Sequence, residues 1–357
     1  MTQPVRSCPD HGPPAEPDHR FCEVCGRDLV TGEPAATAAP PAPTPPVSTP
    51  TPAAPVIRWL SSRQADPACP ACGAAGPGDG GYCDHCGRRR VAGRDHAELD
   101  LGTVAGVTDR ARRRHNEDAF AIGRRSGASA AVVCDGVSTS ARSDVASHAA
   151  AEAGLAELLA ALDAGEQPEA ATSRGARAAA NAVRAVAAPH DQDAPPSCTY
   201  VSAVVTPDAI TVGWIGDSRA YWLSSAPGDS ACLTIDDSLI GRLSAGTPVP
   251  PVAGADPRSR ALIRWLGADS DDAEPQVATV RPAVTGRLVL CSDGLSHYLP
   301  DPAAMAEAVG DTPQAPVDVA RRLTGLALAA GGHDNIAVVV LPFPPTPGDD
   351  TSEGPVR

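Results

Sequence analysis

Between about residue 100 and residue 342 the chain alternates short apolar runs with longer stretches of helical texture. Ala130-Ala131-Val132-Val133-Cys134 stops at Asp135-Gly136, and Leu288-Val289-Leu290-Cys291-Ser292 stops at Asp293-Gly294. Ile210-Thr211-Val212-Gly213-Trp214-Ile215 runs into Gly216-Asp217-Ser218-Arg219, and Asp334-Asn335 opens onto Ile336-Ala337-Val338-Val339-Val340-Leu341. Unbroken runs of this length predict buried strands. Asp144 to Leu162 carries Val145, Leu155, Leu158, Leu159 and Leu162 on one side, which predicts a helix. Residues 168–187 and Val317 to Ala329 predict two more, both rich in the small side chains that pack closely on a sheet.

One aspartate beside an apolar run means little, because Asp-Gly is ordinary turn chemistry. Four in one chain call for a joint explanation. If they converge, two carboxylates about 4 Å apart repel by about 4 kcal/mol at an effective dielectric of 20. Cations would have to neutralise them, and oxygen ligands select hard ions such as Mg2+ or Mn2+ over zinc. A basic stretch, Arg110, Arg112, Arg113 and Arg114, leads into His115-Asn116-Glu117-Asp118-Ala119. A guanidinium fork beside such ions suits a phosphate group.

A net charge of −14 argues against binding to nucleic-acid backbones. Every basic residue is Arg, which excludes Schiff-base catalysis and any Lys-dependent phosphate loop. The absence of Lys beside abundant Ala and Pro suggests a GC-rich bacterial genome. Aromatic residues are only 3%, so the core is to be built from Ala, Val, Leu and Ile. No apolar run approaches the length needed to cross a bilayer, and Met1 to Arg6 lacks the start of a secretory signal. The expectation is a cytoplasmic protein whose cysteines stay reduced and serve as metal ligands rather than disulfides.

Seven of the eleven Cys fall in the first 86 residues, and they repeat. Cys8-Pro9-Asp10-His11 and Cys22-Glu23-Val24-Cys25-Gly26 superimpose on Cys69-Pro70-Ala71-Cys72 and Cys83-Asp84-His85-Cys86-Gly87 after a shift of 61. His11 stands where Cys72 does, with Asp10 or His19 as competitors for that place. Two residues between paired ligands let one tight turn deliver both, and a second turn closes a tetrahedron around Zn2+. A segment this short cannot bury a self-sufficient core, whereas metal binding worth about 10–16 kcal/mol folds it. The spacing resembles the zinc-ribbon family and implies two structural Zn2+ sites. Residues 33–55, almost wholly Pro, Ala, Thr and Ser, predict an extended spacer. The expected organisation is a ribbon at 1–32, a spacer at 33–60, a second ribbon at 61–95, a catalytic domain at 96–342 and a disordered tail at 343–357.

The ordered set Arg-x-x-Asn-Glu-Asp, Asp-Gly, Gly-Asp-Ser-Arg, Ser-Asp-Gly-Leu and Asp-Asn resembles the metal-dependent protein phosphatases of type 2C. The resemblance implies an α+β fold, a four-layer α-β-β-α sandwich over residues 96–342. It implies that Asp135 bridges two Mn2+ or Mg2+ ions and that the Gly136 carbonyl faces one. Asp293 and Asp334 complete one shell, Glu117 supports the other, and Asp217 matches the place of a third ion. Arg113, four residues before Glu117, becomes the phosphate-binding arginine. Asp118 is expected to be structural and Asn335 to orient Asp334. Residues 233–266 match the family's flap region. Val137-Ser138 departs from the family, many of whose members carry His after Asp-Gly as a general acid. A water, His115 or His333 would have to substitute.

The activity so implied is hydrolysis of phosphoserine and phosphothreonine in proteins phosphorylated by a serine/threonine kinase. A hydroxide bridging the two ions attacks phosphorus in line, with Asp135 holding the ions and Arg113 the phosphoryl oxygens. The alternative is a catalytically weak pseudo-phosphatase scaffold recruiting partners through its ribbons. A zinc-ribbon nucleic-acid protein is a further rival, disfavoured by the acidic charge.

Overall fold

The computed structural model describes residues 7–13, 20–25, 27–33, 58–62, 85–86, 95–238, 241, 261–270, 272–310 and 314–345. The chain divides into two compact units, Met1–Ala54 and Pro55–Arg357.

In the larger unit every strand pair is antiparallel. One six-stranded sheet has the order β1-β4-β5-β7-β8-β12, comprising Arg58–Ser61, Ala119–Arg125, Ala128–Cys134, Tyr200–Val205, Ile210–Ile215 and Gln276–Val280. The other has the order β10-β9-β13-β14-β3-β2, comprising Ala231–Cys232, Arg219–Ser224, Gly286–Cys291, Ile336–Phe343, Ala105–Asp109 and His96–Asp100. A two-stranded ladder joins β6 (Ser197–Cys198) to β11 (Leu266–Gly267).

Helices α1 (Ser143–Asp163) and α2 (Pro168–Val186) cover the first sheet, and α3 (Asp293–Ser296), α4 (Pro302–Val309) and α5 (Pro316–Ala330) cover the second. The result is four layers with three apolar cores. The central core holds Phe120, Val133, Val201, Leu290 and Val339 between the sheets. Strands enclosed on both faces need no polar alternation, which is why their sequences read as unbroken apolar runs. Small residues set the helical layer close: a Cβ at Gly154 would lie 2.8 Å from the Tyr200 ring, and one at Gly175 would lie 2.8 Å from the Gly154 carbonyl. Helix α1 is long and apolar enough to cross a membrane by length and composition alone. Its Leu155, Leu158 and Leu159 are buried in the core it shares with α2 and the first sheet.

The spacer expected over residues 33–60 gives way to sheet at Arg58. Arg58–Ser61 pairs with β4, Ser61 Oγ donates to Glu152 Oε1 at 2.7 Å, and Ser62 Oγ accepts from the Phe120 N–H at 3.1 Å. The second cysteine group therefore lies between two strands of the same unit rather than ahead of it.

Pairing register gathers the chemistry at one end of the sandwich. Cys291, the last residue of β13, pairs with Val338 near the start of β14, so Asp293 and Asp334 emerge together. Cys134, ending β5, pairs with Ala119, starting β4, which places Asp135 beside Glu117 and Asp118. Tyr200 pairs with Ile215, so Thr199 and Asp217 emerge together, and Arg219 pairs with Cys291.

Candidate active site

Asp135 stands at the centre of an acidic cluster. Burial first, then the charges of Asp118, Asp293, Asp217 and Asp334, push its carboxyl well above the usual carboxylate range. Burial raises Asp118 as well, and Asp293 is raised by burial and by Asp334. Asp217 is pushed up to about 7 by burial and by Asp293 and Asp236. Asp135 thus lies within the fields of the other three strand-end aspartates.

Asp118 is buried beside Ser292. It is 2% exposed, Oδ2 accepts from Ser292 Oγ at 2.6 Å, and Oδ1 is buried with no hydrogen-bond partner among the described residues. A buried acceptor left without a donor is uncommon, and a cation is one group that satisfies it.

The main chain around the cluster is closely held. Thr199 accepts from the Asp135 N–H through Oγ1 at 3.0 Å and donates its own N–H to the Asp135 carbonyl at 2.8 Å. Gly136 admits no side chain, because a Cβ would lie 2.8 Å from the Glu117 carbonyl. A Cβ at Gly294 would lie 1.8 Å from the Asn335 carbonyl. Asn335 touches Asp334 through its main chain and the neighbouring loop through its side chain. Its backbone N–H donates to Asp334 Oδ1 at 2.8 Å, whereas its buried side chain organises the loop after β3. Nδ2 donates to the carbonyls of Arg110 (2.8 Å) and His115 (2.9 Å), and Oδ1 accepts from the Glu117 N–H (2.8 Å).

That loop carries Arg113 into the cluster. Nε donates to Asp334 Oδ1 at 2.8 Å, and Nη2 donates to Asp334 Oδ2 at 3.3 Å and to Ser138 Oγ at 2.6 Å. The acidic group is consequently looser than a closed cation cage, because Asp334 is turned towards the arginine. Glu117 is held by two hydroxyls, Ser138 at 2.9 Å and Ser143 at 2.8 Å. His115 and His333 are both exposed, and the His333 ring stacks on Tyr298. Burial pushes the Cys134 thiol well above its ordinary value and raises Cys291 too, so neither is a poised nucleophile.

The turn carrying Asp217 is clasped by its own motif neighbours Ser218 and Arg219 and by Asp236 and Asp237, to which the sequence reading gave no role. Ser218 Oγ meets Thr199 Oγ1 at 2.7 Å, and Arg219 grips Asp236 at 2.8 and 2.7 Å. Asp237, whose side chain is fully buried, pairs with Arg264 at 3.2 Å and accepts from the Gly216 N–H at 3.1 Å and from Gln276 at 3.0 Å. Most of the intervening flap, including residues 242–260, lies outside the described residues.

In the smaller unit, Cys8, His11, Cys22 and Cys25 bring one ligand atom each within 4.8 Å of one another. His11 takes part through Nδ1, 3.6 Å from Cys8 Sγ and 3.9 Å from Cys22 Sγ, and Cys8 Sγ lies 3.7 Å from Cys25 Sγ. A tetrahedron with Zn–S bonds of about 2.3 Å has sulfur–sulfur edges of about 3.8 Å, so these spacings suit zinc. The Asp10 backbone N–H, with His11, lowers the Cys8 thiol to about 6, towards the thiolate that a metal takes. Asp10 instead pairs with Arg27 at 3.3 Å, and His19 lies outside the described residues. Of the second group, Cys69, Cys72 and Cys83 lie outside them too, and Cys86 is exposed.

Residues 105–324 match the protein phosphatase 2C family, and the chain belongs to that family. It is 38% identical over 130 residues to the serine/threonine protein phosphatase PstP of Mycobacterium tuberculosis, which covers 35% of this chain and 23% of PstP. It is 30% identical over 144 residues to the serine/threonine phosphatase stp of Listeria welshimeri, covering 40% of this chain and 55% of that protein. The chain therefore spans about a quarter and about half of these relatives. Among solved structures, the catalytic domain of PstP in complex with two manganese ions superimposes with a TM-score of 0.52 at 27% identity, covering 66% of this chain and 96% of that one.

Proposed function

We propose that the chain is a metal-dependent protein phosphatase acting on phosphoserine and phosphothreonine. The observation that carries this is Asp135 within the fields of Asp118, Asp217, Asp293 and Asp334, with Arg113 bonded to Asp334. Oxygen donors, an orphaned Asp118 Oδ1 and a Gly136 backbone with no side chain in the way fit Mn2+ or Mg2+. Asp135, the Gly136 carbonyl, Asp293 and Asp334 would hold the ions, with Glu117 and Asp217 at the margins. Such ions, when bound, neutralise the carboxylates and acidify a water at neutral pH.

The chain's own residues do the rest. Arg113 binds and orients the phosphoryl oxygens by charge-assisted hydrogen bonds and stabilises the charge that develops on them. Thr199 and Asn335 hold the main chain of Asp135 and Glu117, so the donors need not reorganise during the reaction. Among the described residues, no thiol near the cluster is poised as a covalent nucleophile, which favours direct attack by water. The substrates would be proteins phosphorylated by a serine/threonine kinase, met in the cytoplasm. The Cys8, His11, Cys22, Cys25 unit would hold a structural Zn2+, and Cys69, Cys72, Cys83 and Cys86 a second.

The test is Asp293→Asn against wild type on a phosphothreonine peptide and on p-nitrophenyl phosphate, with Mn2+. Wild type should turn over both and the variant neither. Equal turnover by the variant refutes the assignment of Asp293, and an inert wild type refutes the enzyme reading in favour of a scaffold.

A further inference from the structure

The Asp135-Gly136-Val137-Ser138 loop offers no acid–base side chain directly after Asp-Gly, yet it is closely anchored. The Gly136 N–H donates to the Glu117 carbonyl at 3.1 Å and the Val137 N–H to the Ser197 carbonyl at 3.0 Å. Ser140 closes the turn with its N–H and its hydroxyl, both donating to the Val137 carbonyl at 2.8 Å. The Ala141 N–H donates to the Ala194 carbonyl at 2.8 Å. Ser138 is thus an exposed residue on a fixed loop, and its hydroxyl has a definite task. It accepts from Arg113 Nη2 at 2.6 Å and donates to Glu117 Oε2 at 2.9 Å. Glu117 is in turn fixed at its N–H by Asn335 and at Oε1 by Ser143.

We propose that Ser138 is a positioning residue for substrate phosphate: it ties Arg113 to Glu117 and so presents the guanidinium to the phosphoryl group. This deepens the phosphatase reading and rests on it.

The argument is one of connectivity. Arg113 is about a third exposed, has a flexible side chain, and beside Ser138 its guanidinium donates to Asp334. Wherever Asp334 serves a cation, Ser138 is the partner that keeps the distal nitrogen directed at the site. A hydroxyl accepts from the arginine and donates to the glutamate at once, which a methyl group cannot do. An alanine there leaves Nη2 to water and Glu117 with one hydroxyl fewer.

The experiment uses the full chain with Mn2+, comparing wild type, Ser138→Ala and Ser138→Thr. Steady-state kinetics on p-nitrophenyl phosphate give kcat and KM, inhibition by inorganic phosphate gives Ki, and calorimetric titration with inorganic phosphate gives Kd. In Ser138→Ala, KM, Ki and Kd for phosphate should rise together by about tenfold, the scale of one hydrogen bond to a charged group, with kcat changed less. Ser138→Thr, which keeps the hydroxyl, should stay close to wild type. Unchanged Ki and Kd in the alanine variant, even with a lower melting temperature, overturn the proposal, and so does a threonine variant as weak as alanine. An inert wild type that still binds phosphate sinks the phosphatase reading, while the calorimetric arm goes on testing Ser138.

Discussion

Replacing Asp217 by Asn measures what the acidic cluster costs the protein when no cation is bound. Burial and the charges of Asp293 and Asp236 push the Asp217 carboxyl from 3.8 up to about 7. Below the lower value both folded and unfolded chains hold the proton, and the group has no effect. Between the two values the unfolded chain releases the proton while the folded chain retains it, so stability falls as pH rises; above about 7 the full penalty stands. At 1.36 kcal/mol per pH unit the displacement is worth about 4 kcal/mol, and water near the carboxyl reduces this to about 2 kcal/mol. In a domain of this size that corresponds to about 4–8 °C of melting temperature. In EDTA at about pH 8.5, Asp217→Asn should therefore melt that much above wild type, and at about pH 5 the gap should narrow. Added Mn2+ should raise wild type more than the variant. A variant that melts at or below wild type in EDTA at the higher pH, or a gap that ignores pH, would refute the reasoning.

Two further outcomes are expected. Asn335→Ala removes three buried hydrogen bonds and should cost about 3 kcal/mol in urea denaturation, and the displaced loop should lower kcat/KM about 100-fold; near-wild-type values on both counts would deny Asn335 its organising part. Cys22→Ser should remove about one zinc per chain by elemental analysis and expose residues 7–33 to proteolysis, leaving p-nitrophenyl phosphate turnover intact; undiminished zinc would show that Cys22 is not a ligand.

Much of this was legible in the sequence where chemistry is tied to short-range pattern. Unbroken apolar runs ending in Asp135, Asp217 and Asp293 are what doubly covered strands look like, and pairing register then brings their ends together. The spacing of Cys8, His11, Cys22 and Cys25 foretells the close approach of their ligand atoms, because two tight turns deliver them. The parts that stayed hidden depend on partners far apart in the chain. Arg113 and Asp334 are 221 residues apart, and nothing in the basic run says which carboxylate takes the guanidinium. The Asp237–Arg264 pair brackets a Pro- and Gly-rich stretch read only as a flap, and no local pattern marks its burial. Asp118 read as structural because its neighbour Glu117 filled the expected role; only the packing of Ser292 and Asp135 against it reveals a buried carboxyl. Ser138 and Ser143 are unremarkable letters until Glu117 is seen between them.

Arg58–Ser61 has a practical bearing on how the protein is cut. A version trimmed to start at residue 96 would strip β1 from β4 and bare a row of backbone N–H and C=O groups to other molecules, an invitation to self-association. Starting at Pro55 keeps that flank shielded and discards only the smaller unit. Activity kept by the version starting at Pro55 and lost from the shorter one would place the requirement in residues 55–95, the strand and the second cysteine group together, rather than in the smaller unit.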